Sequence, residues 1–204
     1  MDEGEAGSAE AVAALGAVLA GGAGRRLGGA KATVELAGRP LIEHPLAALR
    51  AARIEAVVVA KPRTPLPPLD CEIVREAEEP RHPLLGIVAA LRRAAGRPVV
   101  AVACDMPLVP AALLAHLANA RDPLLVAAPG DRPQPLLGRY AAELLPDLEA
   151  ALPREEPLRR TVALLSPRLL GTRELSRFGD PERMLVNVND EADLRRVSAL
   201  LAPG

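Results

Sequence analysis

V-L-A-G-G-A-G-R-R-L-G-G-A-K-A-T-V-E-L-A-G-R-P, from Val18 to Pro40, is the stretch that decides how the chain is read. A short apolar run, Ala14 to Leu19, leads into it and has the look of a buried strand. Five glycines then fall within nine residues, Gly21 to Gly29, with Arg25, Arg26 and Lys31 in and just after them. Glycine lets a backbone turn tightly and come close to a ligand. Backbone N–H groups presented this way, beside cationic side chains, suit an anion and above all a polyphosphate. The loop matches neither common nucleotide template. The dinucleotide pattern G-x-G-x-x-G has Gly22 and Gly24 but Leu27 in third place. The P-loop pattern needs Gly before the lysine and Ser or Thr after it, where this chain has Ala30 and Ala32. A phosphate here is held in a third way, or the loop is a glycine-rich turn with solvated arginines.

Outward from the loop, apolar runs alternate with helix-forming stretches. Strands are expected at Ala56–Ala60, Glu72–Val74, Pro98–Cys104 and Leu124–Ala128, with a last buried one at Met184–Val188. Helices are expected from Pro40 through Leu41–Arg53, from Pro83 to about Ala95, from Pro110 to Ala120, over Ala142–Leu152 and Leu158–Leu165, and from Asp190, as cap, to about Leu201. Pro62–Pro68 carries four prolines and is irregular. Gln134–Arg139 reads as a strand antiparallel to Leu124–Ala128, because only a short turn joins them, and Arg168–Arg173 as strand-like. This β-α-β alternation predicts a three-layer α/β/α domain with a mostly parallel, Rossmann-like sheet and an antiparallel addition in the second half. Ligands of such sheets bind beyond the carboxyl ends of the strands.

Composition narrows the functions. The 204 residues suffice for one sizeable domain, expected over 13–204 behind a mobile acidic tail, 1–12. One Tyr, one Phe and no Trp leave almost nothing for stacking single-stranded nucleic acid. A net charge of −1 is far from a nucleic-acid-binding surface. The start lacks the basic and apolar regions of a signal peptide, and no apolar run approaches the roughly 20 residues of a membrane span. A cytoplasmic protein with no membrane partner is expected. Cys71 and Cys104 form no C-x-x-C pair, and the three histidines no metal-ligand spacing. No G-x-S-x-G elbow supports a hydrolase.

Two further positions carry chemistry. Asp105 follows a buried strand directly, on the edge where the first strand delivers the glycine loop. Triphosphate chemistry uses Mg²⁺, a hard cation that takes carboxylate and phosphate oxygens, and Asp105 is placed for it or caps the following helix. In V-N-V-N-D, Val186 to Asp190, Asn187 and Asn189 alternate with valines and share one face, suited to a metal or an acceptor, or simply to a turn.

Together, L-A-G-G-A-G-R-R-L-G-G-A-K, C-D-M-P, P-L-L-G-I and N-V-N-D-E-A-D-L resemble, in order and spacing, the nucleotidyltransferases of the molybdenum cofactor pathway, with the guanylyltransferases the nearest branch. The resemblance spans residues 14 to about 200. It implies a fold of the nucleotide-diphospho-sugar transferase type and transfer of GMP from GTP to a molybdopterin-type acceptor, releasing pyrophosphate, with Mg²⁺ as cofactor. It further implies nucleotide binding by Leu19, Ala20, Gly21, Gly22, Gly24, Arg26, Lys31, Glu76, Gly86 and Asp105. In that scheme Arg26 holds the β- and γ-phosphates, Lys31 the α-phosphate, and Asp105 with Asn189 the metal, while Asn187 and Asn189 face the acceptor. Transient contact with other proteins of the pathway also follows from it. The chain departs from the family pattern at Ala30, where Asp is usual, at Glu76, where a shorter Asp is usual, and at Pro80-Arg81-His82, where glycines are usual. CTP or another nucleotide, a sugar-phosphate acceptor, and a nucleotide-binding adaptor without turnover are the alternatives left by the residues.

Overall fold

The computed structural model describes residues 13–22 and 31–201. The expected tail, 1–12, and most of the glycine loop lie outside the described residues. A seven-stranded sheet forms the middle layer. Its strands are β1 (Leu15–Leu19), β4 (Ala56–Ala60), β5 (Glu72–Arg75), β6 (Val99–Ala103), β7 (Leu124–Ala128), β8 (Leu137–Tyr140) and β9 (Arg168–Gly171), in the order β5-β4-β1-β6-β8-β7-β9. Strands β2 (Glu35–Leu36) and β3 (Arg39–Pro40) make a separate hairpin.

Residues buried on both faces build this sheet, as the V-V-V-A runs predict. Along β1, Leu15, Ala17 and Leu19 face one helical layer and Val18 the other. One layer contains α1 (Glu43–Ala51) and α3 (Ala111–Asn119), packed on Val58, Val100 and Val102. The other contains α2 (Leu84–Ala94), α4 (Leu145–Ala151) and α5 (Leu158–Leu164), packed on Val57, Val59 and Ala101. The three-layer α/β/α expectation holds. Strand β8 runs antiparallel to both of its neighbours, β6 and β7, and the other pairings are parallel. This is the expected antiparallel addition, observed from Leu137 rather than Gln134.

Two expectations are corrected. Pro40 does not open a helix; it pairs with Glu35 in β3. Ala37 and Gly38 both take positive φ, +49° and +74°, the two-residue geometry that closes a tight hairpin. The Leu41 N–H donates to the Val34 carbonyl at 2.7 Å, which extends the hairpin pairing and delays α1 to Glu43. Nor is Met184–Val188 a strand. After a one-turn helix, α6 (Thr172–Leu175), Asp180 accepts the Glu182 N–H and starts a short helix, α7 (Pro181–Met184), which consumes the first residue of the run. The rest follows an irregular path, held by the Val188 N–H on the Asp105 carbonyl at 2.9 Å. Val188 is buried as expected and Val186 half-buried, but against the hairpin and α8 (Glu191–Leu201) instead of in the sheet. Asp190 does cap α8: its Oδ1 accepts the N–H groups of Ala192 and Asp193.

His44 ties the hairpin to α1. It is 5% exposed, and its Nε2–H donates to the Leu36 carbonyl at 3.0 Å, since a carbonyl can only accept. Burial, with the Leu36 bond opposing it, lowers the imidazole pKa below 6.5. The unfolded chain therefore binds the proton more readily, and stability is lost as pH falls from about 6.5 toward the folded value. The slope is at most about 1.4 kcal/mol per pH unit. Calorimetry between pH 8 and pH 5 should show this loss, and His44→Gln should flatten it; an unchanged slope in the variant would assign the pH dependence to other groups.

Candidate functional site

Four parallel strands end on one edge of the sheet, and each hands a chemically distinct residue to it. β1 continues into Ala20-Gly21-Gly22, β4 into Lys61, β5 into Glu76 and β6 into Cys104-Asp105. The ladder persists for one more residue on three of them: Ala20 N–H donates to Val59, Glu76 N–H to Ala60 and Cys104 N–H to Leu19. The site residues therefore project from backbone that is still sheet-bonded.

On one side of β1 lies a cleft of about 400 Å³. Leu19, Gly21, Gly22, Val59, Glu76 and Gly86 line its inner part. Glu76 is its buried carboxylate, 8% exposed, and burial raises its pKa against the pull of Lys61. The two glycines make room for it. A Cβ on Gly21 would stand 2.0 Å from Glu76 Oε1, and one on Gly86 would stand 3.2 Å from Oε2. The Glu76 carboxylate thus fits because two glycines flank it. The cleft's outer wall carries Arg81 and His82. His82 has a structural function: Nδ1 accepts the Leu84 N–H at the start of α2, and Nε2–H donates to the Glu156 carbonyl at 2.7 Å.

On the other side of β1, Lys31, Asp105 and Asn189 converge. Lys31 Nζ donates to Asp105 Oδ2 at 2.5 Å and to Asn189 Oδ1 at 3.0 Å. Residues 74 and 158 positions from Lys31 in the chain are thereby gathered round one ammonium. The second Asp105 oxygen, Oδ1, is buried and has no hydrogen-bond donor among the described residues. A buried carboxylate oxygen left this way is costly, so it marks a place where a cation or donor completes the site. No cluster of three or more His, Cys, Asp or Glu occurs among the described residues. A carboxylate such as Asp105, completed by substrate phosphates and water, is a donor set that Mg²⁺ accepts. Cys104, beside Asp105, is no nucleophile: burial pushes its thiol up to about 12.

Of the candidate residues, Leu19, Gly21, Gly22, Glu76 and Gly86 meet in the cleft, and Lys31, Asp105 and Asn189 meet beyond β6. Ala20 is buried between them. Asn187 sits two residues before Asn189 and is half-buried, while the bond to Lys31 is made by Asn189. Gly24, Arg26 and Ala30 lie outside the described residues. Lys61 was missed by the sequence reading. The signal was available, since it follows β4 as Asp105 follows β6.

Residues 16–169 match the MobA-like NTP transferase domain, three quarters of the chain. The chain belongs to the MobA-like NTP transferase family. MobA-like relatives cover nearly all of it. A probable molybdenum cofactor guanylyltransferase of Carboxydothermus hydrogenoformans is 32% identical over 184 residues, 89% of this chain and 93% of that one. A molybdenum cofactor guanylyltransferase of Cereibacter sphaeroides is 32% identical over 198 residues, 92% and 96% of the two chains. Among solved structures, molybdopterin-guanine dinucleotide biosynthesis protein A of Archaeoglobus fulgidus superposes with a TM-score of 0.74 at 30% identity, over 91% of this chain and 97% of that one. A 2-C-methyl-D-erythritol 4-phosphate cytidylyltransferase of Thermus thermophilus shares the MobA-like fold, with a TM-score of 0.64 at 22% identity over 93% and 98%. No helix among the described residues is long and apolar enough to cross a membrane.

Proposed function

We propose that this chain transfers GMP from GTP to the phosphate of a molybdopterin-type acceptor and releases pyrophosphate. The observation that carries the reading is the Lys31–Asp105–Asn189 cluster on the same sheet edge as the Glu76 cleft, one on each side of β1. The cleft takes the nucleoside. Glu76 presents a carboxylate there, an acceptor for N–H groups, and the guanine edge offers two adjacent donors, N1–H and the 2-amino group. Cytosine offers one. Gly21 and Gly22 lead from the nucleoside toward the phosphates.

The acceptor's phosphate oxygen attacks the α-phosphorus in line. A new P–O bond forms, the bond to the β-phosphate's bridging oxygen breaks, and pyrophosphate departs with the electron pair. A phosphate monoester is already largely ionised at neutral pH, so no general base is required. The protein's part is to position the groups and to offset charge. Lys31 neutralises the α-phosphate, Arg26 the departing phosphates, and Asn187 and Asn189 orient the acceptor. Asp105, with Asn189, would hold Mg²⁺, which supplies charge neutralisation across the phosphates when bound.

A thermal-shift panel of GTP, CTP, UTP and ATP with Mg²⁺ tests the base. At a nucleotide concentration 100 times Kd, binding stabilises by about 2.7 kcal/mol. For a domain of this size that is a rise of about 5–10 °C. GTP should give it; a shift by CTP and none by GTP would overturn the guanine assignment. Pyrophosphate release with molybdopterin then tests turnover, and GTP binding without release, in the presence of competent acceptor, would make the chain an adaptor.

A further inference from the structure

Lys61 has no place in the phosphate chemistry, yet its side chain is only 13% exposed. A lysine at the end of a strand beside a proline-rich loop ordinarily extends into water. This one folds inward over the start of the segment that follows β5. Its Nζ donates to the Ala77 carbonyl at 2.7 Å and to the Glu78 carbonyl at 2.8 Å, and stands 3.9 Å from Glu76 Oε1. The two strand ends are stitched from the other direction as well. Arg75 Nη1 donates to the Lys61 carbonyl at 2.9 Å, and the Arg63 N–H donates to Glu78 Oε1 at 3.3 Å.

Glu76 cannot settle elsewhere. A Cβ on Gly21 or Gly86 would crowd it from behind, and among the described residues the cation paired with it is Lys61. Among the described residues, the other charged and titratable side chains lining its cleft are Lys61, Arg63, Glu78, Arg81 and His82, and those that bear on its charge are Lys61 from the β4 end and Glu78 on its own segment. Gly21 and Gly22 after β1, and Gly86 in α2, bring none. A carboxylate buried to this degree stays ionised only with a partner.

We propose that Lys61 is a positioning residue for base selection: its ammonium fixes the Glu76–Glu78 wall of the cleft and keeps the Glu76 carboxylate charged to face the base. This rests on the reading of the cleft as the nucleoside pocket. It assigns to a single lysine the rigidity and the charge of the wall that carries Glu76 and Glu78.

The test is steady-state kinetics of GTP and CTP as a function of pH for wild type, Lys61→Met, Glu76→Gln and the double variant. Lys61→Met should raise KM for GTP about tenfold while kcat stays within about twofold, and should lower the GTP-over-CTP ratio of kcat/KM. Its acidic limb in the pH profile of 1/KM should move to higher pH, because Glu76 without its cation takes up a proton more readily. Glu76→Gln should lose that limb, and Lys61→Met should then add little in the double variant. Far-UV circular dichroism checks the fold. If Lys61→Met does not fold, Lys61→Gln keeps a donor for the carbonyls without the charge, and the displaced limb is read there. A wild-type KM and pH limb in either folded variant would overturn the assignment, as would fully multiplicative effects in the double variant. Absence of GTP saturation in the wild type would overturn the nucleotide reading itself, and this assignment with it.

Discussion

Asp105→Ala should reduce nucleotidyl transfer by at least about 10³-fold, roughly 4 kcal/mol of transition-state stabilisation, with the melting temperature within a few degrees of wild type. The carboxylate contributes little to the fold. One oxygen is buried without a donor among the described residues, and the other pairs with Lys31. The contact that does hold the chain, Val188 N–H on the Asp105 carbonyl, belongs to the backbone and survives the substitution. Removing an acceptor that has no donor relieves a desolvation cost of about 1–3 kcal/mol, which offsets the lost ion pair. Single-turnover pyrophosphate release and calorimetry read the two halves. Turnover within tenfold of wild type would place the metal-holding chemistry elsewhere, and a collapse in melting temperature would make Asp105 structural.

Lys31→Ala should be as damaging to transfer and different in stability. In the proposed mechanism the ammonium offsets charge on the reacting phosphate, and loss of one such group costs up to about 10³-fold in rate. In the resting protein it is also the cation paired with Asp105, with side-chain exposures of 12% and 19%. Taking it away leaves a largely buried carboxylate without a partner, at a cost of about 1–3 kcal/mol. The double variant Lys31→Ala/Asp105→Ala should then be more stable than Lys31→Ala alone, because the uncompensated charge is gone. Denaturant midpoints of the three variants decide this. Equal destabilisation by the two single changes, summed in the double, would mean that the pair is not coupled. Near-normal transfer by Lys31→Ala would show that the catalytic lysine has been misplaced.

Much of this arrangement was legible before folding. β4 and β7 begin and end where their apolar runs do, because residues buried on both faces leave no polar interruption. Asp105 could be placed because a strand end fixes which edge its next residue occupies. The hairpin was not legible, since Glu35–Pro40 is too short to show a period and Ala37 is not a residue that announces positive φ. Val188 is buried and Val186 half-buried, and burial alone does not say whether the covering partner is a sheet or a helix. Lys61 and the glycines around Glu76 were hidden for a different reason. Gly21 and Glu76 are 55 positions apart, and only the parallel pairing of β1, β4 and β5 sets one against the other. The charge on Lys61 is visible in the sequence, while the direction in which its side chain turns is set by carbonyls at Ala77 and Glu78.

The reversed strand has a use in spectroscopy. Tyr140, the sole tyrosine in a chain without tryptophan, is the last residue of β8, fully buried, with its hydroxyl donating to the Pro135 carbonyl at 2.6 Å. Near-ultraviolet absorbance and emission of this protein therefore come almost entirely from one ring, planted in the single strand that runs against the rest. An unfolding curve followed by that signal watches the insertion of β8 between β6 and β7, while far-ultraviolet dichroism watches the helices and the sheet as a whole. Coincidence of the two curves would mean that the antiparallel strand joins the cooperative unit; separation would show the sheet assembling in two stages, with the native tyrosine as the reporter.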